Sequence, residues 1–196
     1  MLNKKYNNDG GFKVDTAFVD NEPPEKLDIK AEVIEWLGVI ASALMIVVIL
    51  FGFVFRVAII SGDSMKNTLY EGEVVIITNL NYTPKCGDIV VVSRNAQNLS
   101  EDVRIDNGPI IKRVIATENQ TVDIDFEQGI VYVDNVPLVE NYISTPTNVK
   151  YEVDFPVTVP KGHIFVLGDN RGVSLDSRSS RIGEGGMIDT RYVLGH

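Results

Sequence analysis

Residues 36–55 read WLGVIASALMIVVILFGFVF, 20 residues without a charge, bounded by Glu35 and Arg56. As a helix rising 1.5 Å per residue, such a run is about 30 Å long, the thickness of a bilayer hydrocarbon core. A buried core helix would be shorter and carry a polar stripe, so the run predicts a transmembrane helix. A cleaved leader fits poorly, because the apolar run is too long and starts too far in. The small pair Ala41 and Ala43 also lies inside the run rather than after it.

Beyond the run the pattern changes to short β-type segments at 73–78, 88–93, 110–116, 121–126, 129–133 and 163–167. Turn pairs separate them, among them Gly87-Asp88, Gln128-Gly129 and Asp134-Asn135. No helical period of useful length interrupts them, which predicts a mostly-β domain from about residue 58 onward. Residues 95–108 are polar and read as an exposed loop. The first 31 residues are polar and acidic, with Pro23-Pro24 and an Asn-Asn-Asp-Gly-Gly run at 7–11, and read as a disordered tail. The chain thus divides into a tail (1–31), a transmembrane helix (32–57) and a mostly-β domain (58–196).

Composition removes several function classes. The net charge of -9 argues against a nucleic-acid partner, which needs clustered Lys and Arg. Two histidines, His163 and His196, and one cysteine, Cys86, with no CxxC or HExxH spacing, leave no metal site to expect. Lys26 and Lys30 before the span nearly balance Arg56 and Lys66 after it; Lys4, Lys5 and Lys13 tip the balance weakly toward an inside N-terminus.

Three segments carry candidate chemistry. Ser61-Gly62-Asp63-Ser64-Met65 puts a serine in a glycine-bearing turn just after the apolar run. Ile110-Ile111-Lys112-Arg113-Val114-Ile115 puts two basic residues inside a strand, where alternation sends Lys112 and Arg113 to opposite faces. Only a desolvated lysine can become a neutral base, so the pair Ser64 and Lys112 suggests a Ser/Lys hydrolase. Burial beside Ile110 and Val114 should lower the Lys112 pKa, with a weaker push the same way from Arg113. Taken alone, Ser64 reads as a turn serine and Lys112 as a surface lysine. Lys66 competes as base but lies in a polar turn, and His163 offers a triad partner at the start of an apolar strand. The third segment, 168–178 (GDNRGVSLDSR), reads by composition as a polar turn, although its paired Asp and Arg suit a charged scaffold around a cleft.

In that order after one membrane anchor, SGDSMKNTL, KRVI and GDNRGVSLDSR resemble the type I signal peptidases, membrane-anchored serine–lysine proteases. The resemblance covers roughly residues 35–196. It implies Ser64 as nucleophile and Lys112 as general base, with Ser174 hydrogen-bonding and orienting the lysine. It further implies ion pairs of Asp169 with Arg113 and of Asp176 with Arg178, and apolar substrate pockets lined by Ile60, Met65, Leu69 and Ile111. The family's catalytic domain is mostly β and lies outside the membrane, which puts the acidic tail in the cytoplasm. Its partners are signal-peptide-bearing preproteins and the lipid bilayer, and it needs no cofactor. Some relatives carry a serine two before the nucleophile; here that position is Gly62, leaving the oxyanion to backbone N–H groups. Asn67 stands where the family usually has proline, which loosens a turn. Two other readings remain at this point: a catalytically silent, membrane-anchored assembly factor, and a self-cleaving repressor-type protease.

Overall fold

The computed structural model describes residues 29–93 and 108–196, so the expected tail and the 95–108 loop lie almost wholly outside the described residues. The chain divides into two compact units, one ending at Met45 and the other running from Ile46 to His196. Helix α1 spans Ile29–Ile49, beginning before the uncharged run and taking in Lys30, Glu32 and Glu35. None of its residues is buried. The segment Ile29–Gly52 is long and apolar enough to cross a membrane.

The apolar run does not stay helical to its end. A π-helical turn, Leu50–Val54, closes with the Phe55 N–H donating to Leu50 O, and Phe55 opens strand β1 (Phe55–Ile59). This strand pairs antiparallel with β2 (Val74–Thr78), placing Val57 opposite Ile76 and Ile59 opposite Val74. Sheet pairing with β-branched partners outcompetes helix continuation here.

A five-stranded antiparallel sheet forms the centre of this unit, in the order β10-β9-β4-β3-β11. Its strands are β3 (Ile89–Val92), β4 (Ile110–Thr117), β9 (His163–Leu167), β10 (Ile188–Asp189) and β11 (Val193–Gly195). A second sheet, β7-β6-β5-β8, joins β5 (Thr121–Asp125), β6 (Ile130–Val133), β7 (Val136–Pro137) and β8 (Val157–Thr158). Asp134 and Asn135, both at positive φ (50° and 64°), make the two-residue hairpin between β6 and β7. This is the turn that the Asp-Asn pair foretells.

The five-stranded sheet is packed on both faces. Ile115, Phe165 and Leu167 join Val122, Ile124 and Val131 in one core, while Val90, Val114, Val166 and Ile188 form the other. Burial on both faces explains why β3 reads as an unbroken run, IVVV, rather than an alternating one. It also means that neither Lys112 nor Arg113, in the middle of β4, points to open water.

Candidate active site

Ser64 sits in the turn that follows β1. Its backbone is fixed by Lys66 N–H to Asp63 O (3.1 Å), Thr68 N–H to Met65 O (3.0 Å) and Leu69 N–H to Met65 O (2.9 Å). Gly62 enters this turn at φ +83°, and buried Met65 anchors it. The register of β3 against β4 sets Lys112 opposite Val90. Lys112 is only 3 % exposed, and its Nζ donates to Ser64 Oγ and to Ile111 O, each at 2.8 Å. Burial lowers its pKa to about 8, against an upward pull from Asp176 and Asp169. Arg113 adds no push of its own. That guanidinium is taken up by Asp169, through Nε at 2.8 Å and Nη2 at 2.6 Å.

The loop 168–178 wraps the Ser64 turn. Asn170 N–H donates to Ser64 O, and Asn170 Nδ2 to Asp63 O, both at 3.0 Å. A Cβ on Gly168 would lie 2.2 Å from Ser174 Oγ and 2.5 Å from Ser64 O, so only glycine permits this approach. Asp169 accepts from Thr68 Oγ1 as well as from Arg113. Asp176 pairs with fully buried Arg178 through Nε (2.8 Å) and Nη2 (2.9 Å). Both ion pairs expected from the resemblance are therefore present. The expected Ser174-to-lysine hydrogen bond is not: Ser174 Oγ is buried and has no hydrogen-bond partner among the described residues.

A groove of ≈ 600 Å³ opens beside Ser64 and Lys112, lined by Ile60, Met65 and Ile111 with Gly62, Ala58 and Ile110. Leu69 is not among its lining residues. It is half-buried in the turn, its N–H donating to Met65 O. Lys66 is half exposed and stands 3.8 Å from Asp63, the solvated position expected of it. His163 lines a different cavity, with Tyr82, Thr190 and Arg191, that contains no Ser64. Cys86 is exposed and its thiol donates to Gln120 Oε1 at 3.1 Å.

The family model described as signal peptidase, peptidase S26, matches residues 33–196. The chain belongs to this family. It is 35% identical to a probable signal peptidase I-1 of Synechocystis sp., over 83% of this chain and 79% of that protein. It is 31% identical to signal peptidase I of Bacillus licheniformis, over 85% of this chain and 87% of that protein. A solved signal peptidase I from Enterococcus faecalis V583 is 28% identical, with a TM-score of 0.42, covering 58% of this chain and 96% of that one.

Within this signal peptidase family member, several site residues escaped the sequence pattern. Tyr142 stacks on Arg113, whose Cζ lies 4.0 Å from the ring centroid. Fully buried Arg171 is held by Glu140 and Thr147. Arg171 stands inside the GDNR segment, but Glu140 and Tyr142 lie in a stretch with no period to mark them.

Asn67 is also more than a loosened proline position. It sits at φ +86°, and its Nδ2 donates to Ile143 O at 3.3 Å, tying the Ser64 turn to the 140–147 segment. Proline, fixed near φ −65°, cannot adopt this backbone. Asn67→Pro should therefore destabilise the protein by about 1–3 kcal/mol, and Asn67→Gly, which keeps the backbone and loses the side-chain bond, by less. Thermal unfolding of the two variants side by side checks this. A proline variant as stable as the wild type would contradict it.

Proposed function

We propose that this chain is an endopeptidase that removes N-terminal signal peptides from exported preproteins at the outer face of the cytoplasmic membrane. Ser64 is its nucleophile and Lys112 its general base. The observation that carries the reading is the 2.8 Å contact between Lys112 Nζ and Ser64 Oγ, made by a lysine that burial biases toward its neutral form. Residues 1–31 are then a cytoplasmic tail, 32–57 the transmembrane segment, and 58–196 the extracytoplasmic peptidase domain.

In the neutral state the contact reverses polarity: Ser64 donates its hydroxyl proton to Nζ as Oγ attacks the scissile carbonyl carbon. The oxyanion is met by backbone N–H groups of the nucleophile turn. That of Ser64 has no acceptor among the described residues, and Gly62 gives the turn room to aim it. The Lys112 ammonium then passes its proton to the leaving amine, which frees the mature protein and leaves the leader esterified to Ser64. A water, deprotonated by the same amine, cleaves the ester. Ser174, with its hydroxyl buried beside Ser64 O, is assigned the orienting bond to Lys112 once substrate closes the site. Asp169 with Arg113, and Asp176 with Arg178, hold the frame.

Ile60, Met65 and Ile111 make shallow apolar walls that accept small side chains and exclude bulk by overlap. The test is cleavage of a preprotein by the purified full chain in detergent, across pH. The rate should rise on the acid side with one group titrating near 8, vanish in Ser64→Ala, and fall sharply when the last leader residue is leucine. Cleavage surviving Ser64→Ala would sink the reading, and an acid limb lost in His163→Ala would move the base to histidine.

A further inference from the structure

The segment 140–147 contacts all three parts of the site. Its Ile143 O takes a hydrogen bond from Asn67 in the nucleophile turn (3.3 Å). Its Ser144 N–H donates to Asp169 O (3.0 Å) in the loop after β9. Its Tyr142 ring lies against Arg113, the neighbour of Lys112 on β4. The Tyr142 hydroxyl donates to Glu140 Oε1 at 2.9 Å, and the same carboxylate accepts Arg171 Nη1 at 3.0 Å. Arg171 in turn donates through Nε to Gly168 O at 2.9 Å. The ring is thus pinned at its polar tip and pressed against a guanidinium along its face.

We propose that Tyr142 is a positioning residue for the Ser64–Lys112 pair, capping the Arg113–Asp169 ion pair from a strap that binds nucleophile turn, base strand and following loop together. The inference rests on the proteolytic reading above. Its physical basis is the chemistry of a partly desolvated guanidinium. Arg113 uses the edge of its fork on Asp169 and Gly87 O, which leaves its flat faces to be covered. An aromatic face supplies both contact area and a favourable quadrupole, and a tyrosine can also anchor its hydroxyl. The cap matters because Asp169 has two duties. It holds Thr68 of the nucleophile turn, and it lies close enough to Lys112 to favour the ammonium. Arg113 held flat against Asp169 satisfies the first and weakens the second. The other carboxylate acting on Lys112, Asp176, is paired separately with Arg178 and is untouched by the strap. A loosened Arg113 would leave Asp169 less neutralised, displace the turn and stabilise the protonated lysine together.

The test compares Tyr142→Leu and Tyr142→Phe in the full chain in detergent micelles, with Ser64→Ala as the reference for lost chemistry. Tyr142→Leu should lower kcat about 10- to 100-fold, the scale on which small misplacements act, with KM little changed because Tyr142 does not line the groove. Its acid limb should move to higher pH. Tyr142→Phe, which keeps the ring, should recover most of the rate and bring the limb back. Lysine labelled with 13C at Cε, with Lys112 assigned through Lys112→Met, reads the same upward shift without turnover. Wild-type kcat in Tyr142→Leu, or an unchanged Lys112 titration, overturns the proposal. If the Leu variant does not fold, Tyr142→Met, which fills more of the volume, is read in the same two measurements. Should Ser64→Ala cleave like the wild type, the proteolytic reading falls, while the Lys112 titration still decides the strap.

Discussion

Lys112→Met should be inactive and, at neutral pH, more stable than the wild type. The inactivity follows from removing the only group within hydrogen-bond reach of Ser64 Oγ among the described side chains that can take its proton. The gain in stability follows from linkage. An unfolded lysine titrates near 10.5, whereas burial lowers the folded value to about 8. Between these values the unfolded chain binds more protons, so stability rises with pH there, and below about 8 the buried amine carries its full penalty. That penalty is roughly 3 kcal/mol at pH 7, each pKa unit corresponding to about 1.4 kcal/mol. Loss of the bonds to Ser64 Oγ and Ile111 O returns about 1 kcal/mol each, less where water replaces them, so a net gain of ~1–3 kcal/mol remains. The advantage should shrink as pH climbs from 8 toward 10.5. Lys112→Arg should be equally inactive but less stable than the wild type, because a guanidinium cannot shed its charge in that site. Thermal unfolding against pH, beside preprotein cleavage, reads both signs. A methionine variant that cleaves, or one whose stability difference ignores pH, would remove Lys112 from the mechanism.

The parts of the fold legible in the sequence are those whose local pattern is strong. The six β-type runs correspond to β2, β3, β4, β5, β6 and β9, each within a residue or two at its ends. The strands that escaped have local reasons. β7, β8 and β10 are two residues long and carry no period. β1 is hidden because it starts inside the apolar run, at Phe55, and only its pairing with β2 declares it a strand.

At the site, Ser64, Lys112 and both acid–base pairs could be named because each lies inside a short motif. What the motifs could not convey is mutual orientation. Leu69 follows Met65 by one helical turn, its N–H donating to Met65 O, yet of the two only Met65 lines the groove. Arg113 adjoins Lys112 in sequence but spends its charge across the sheet on Asp169, so the influence that does reach the lysine comes from two distant carboxylates. Tyr142 and Glu140 enter through tertiary contact alone.

The last expected result joins the buried frame to the chemistry. Asp176 Oδ1 accepts Arg178 Nε (2.8 Å) and the Arg178 N–H (3.3 Å), while Oδ2 accepts Arg178 Nη2 (2.9 Å) and the Gly168 N–H (3.1 Å). Every donor around the carboxylate is therefore an N–H, and both oxygens are in use. Asp176→Asn has no good orientation, because whichever way the amide turns, its own N–H groups face other N–H donors. The substitution also leaves fully buried Arg178 without its counter-charge, although carbonyls of Val149, Arg171 and Ser174 still hold it. Breaking one side of a buried pair costs about 3–5 kcal/mol, a large part of the 5–15 kcal/mol by which such domains are stable. Yet Asp176 is also the stronger of the two carboxylates that raise the Lys112 pKa. Whatever fraction stays folded should show an acid limb at lower pH than the wild type. Loss of stability and gain of base function at lower pH must then appear in one variant, read by thermal unfolding and by the pH dependence of cleavage at a temperature below the transition. A destabilised variant whose acid limb stays in place would separate Asp176 from Lys112 and leave it a purely structural residue.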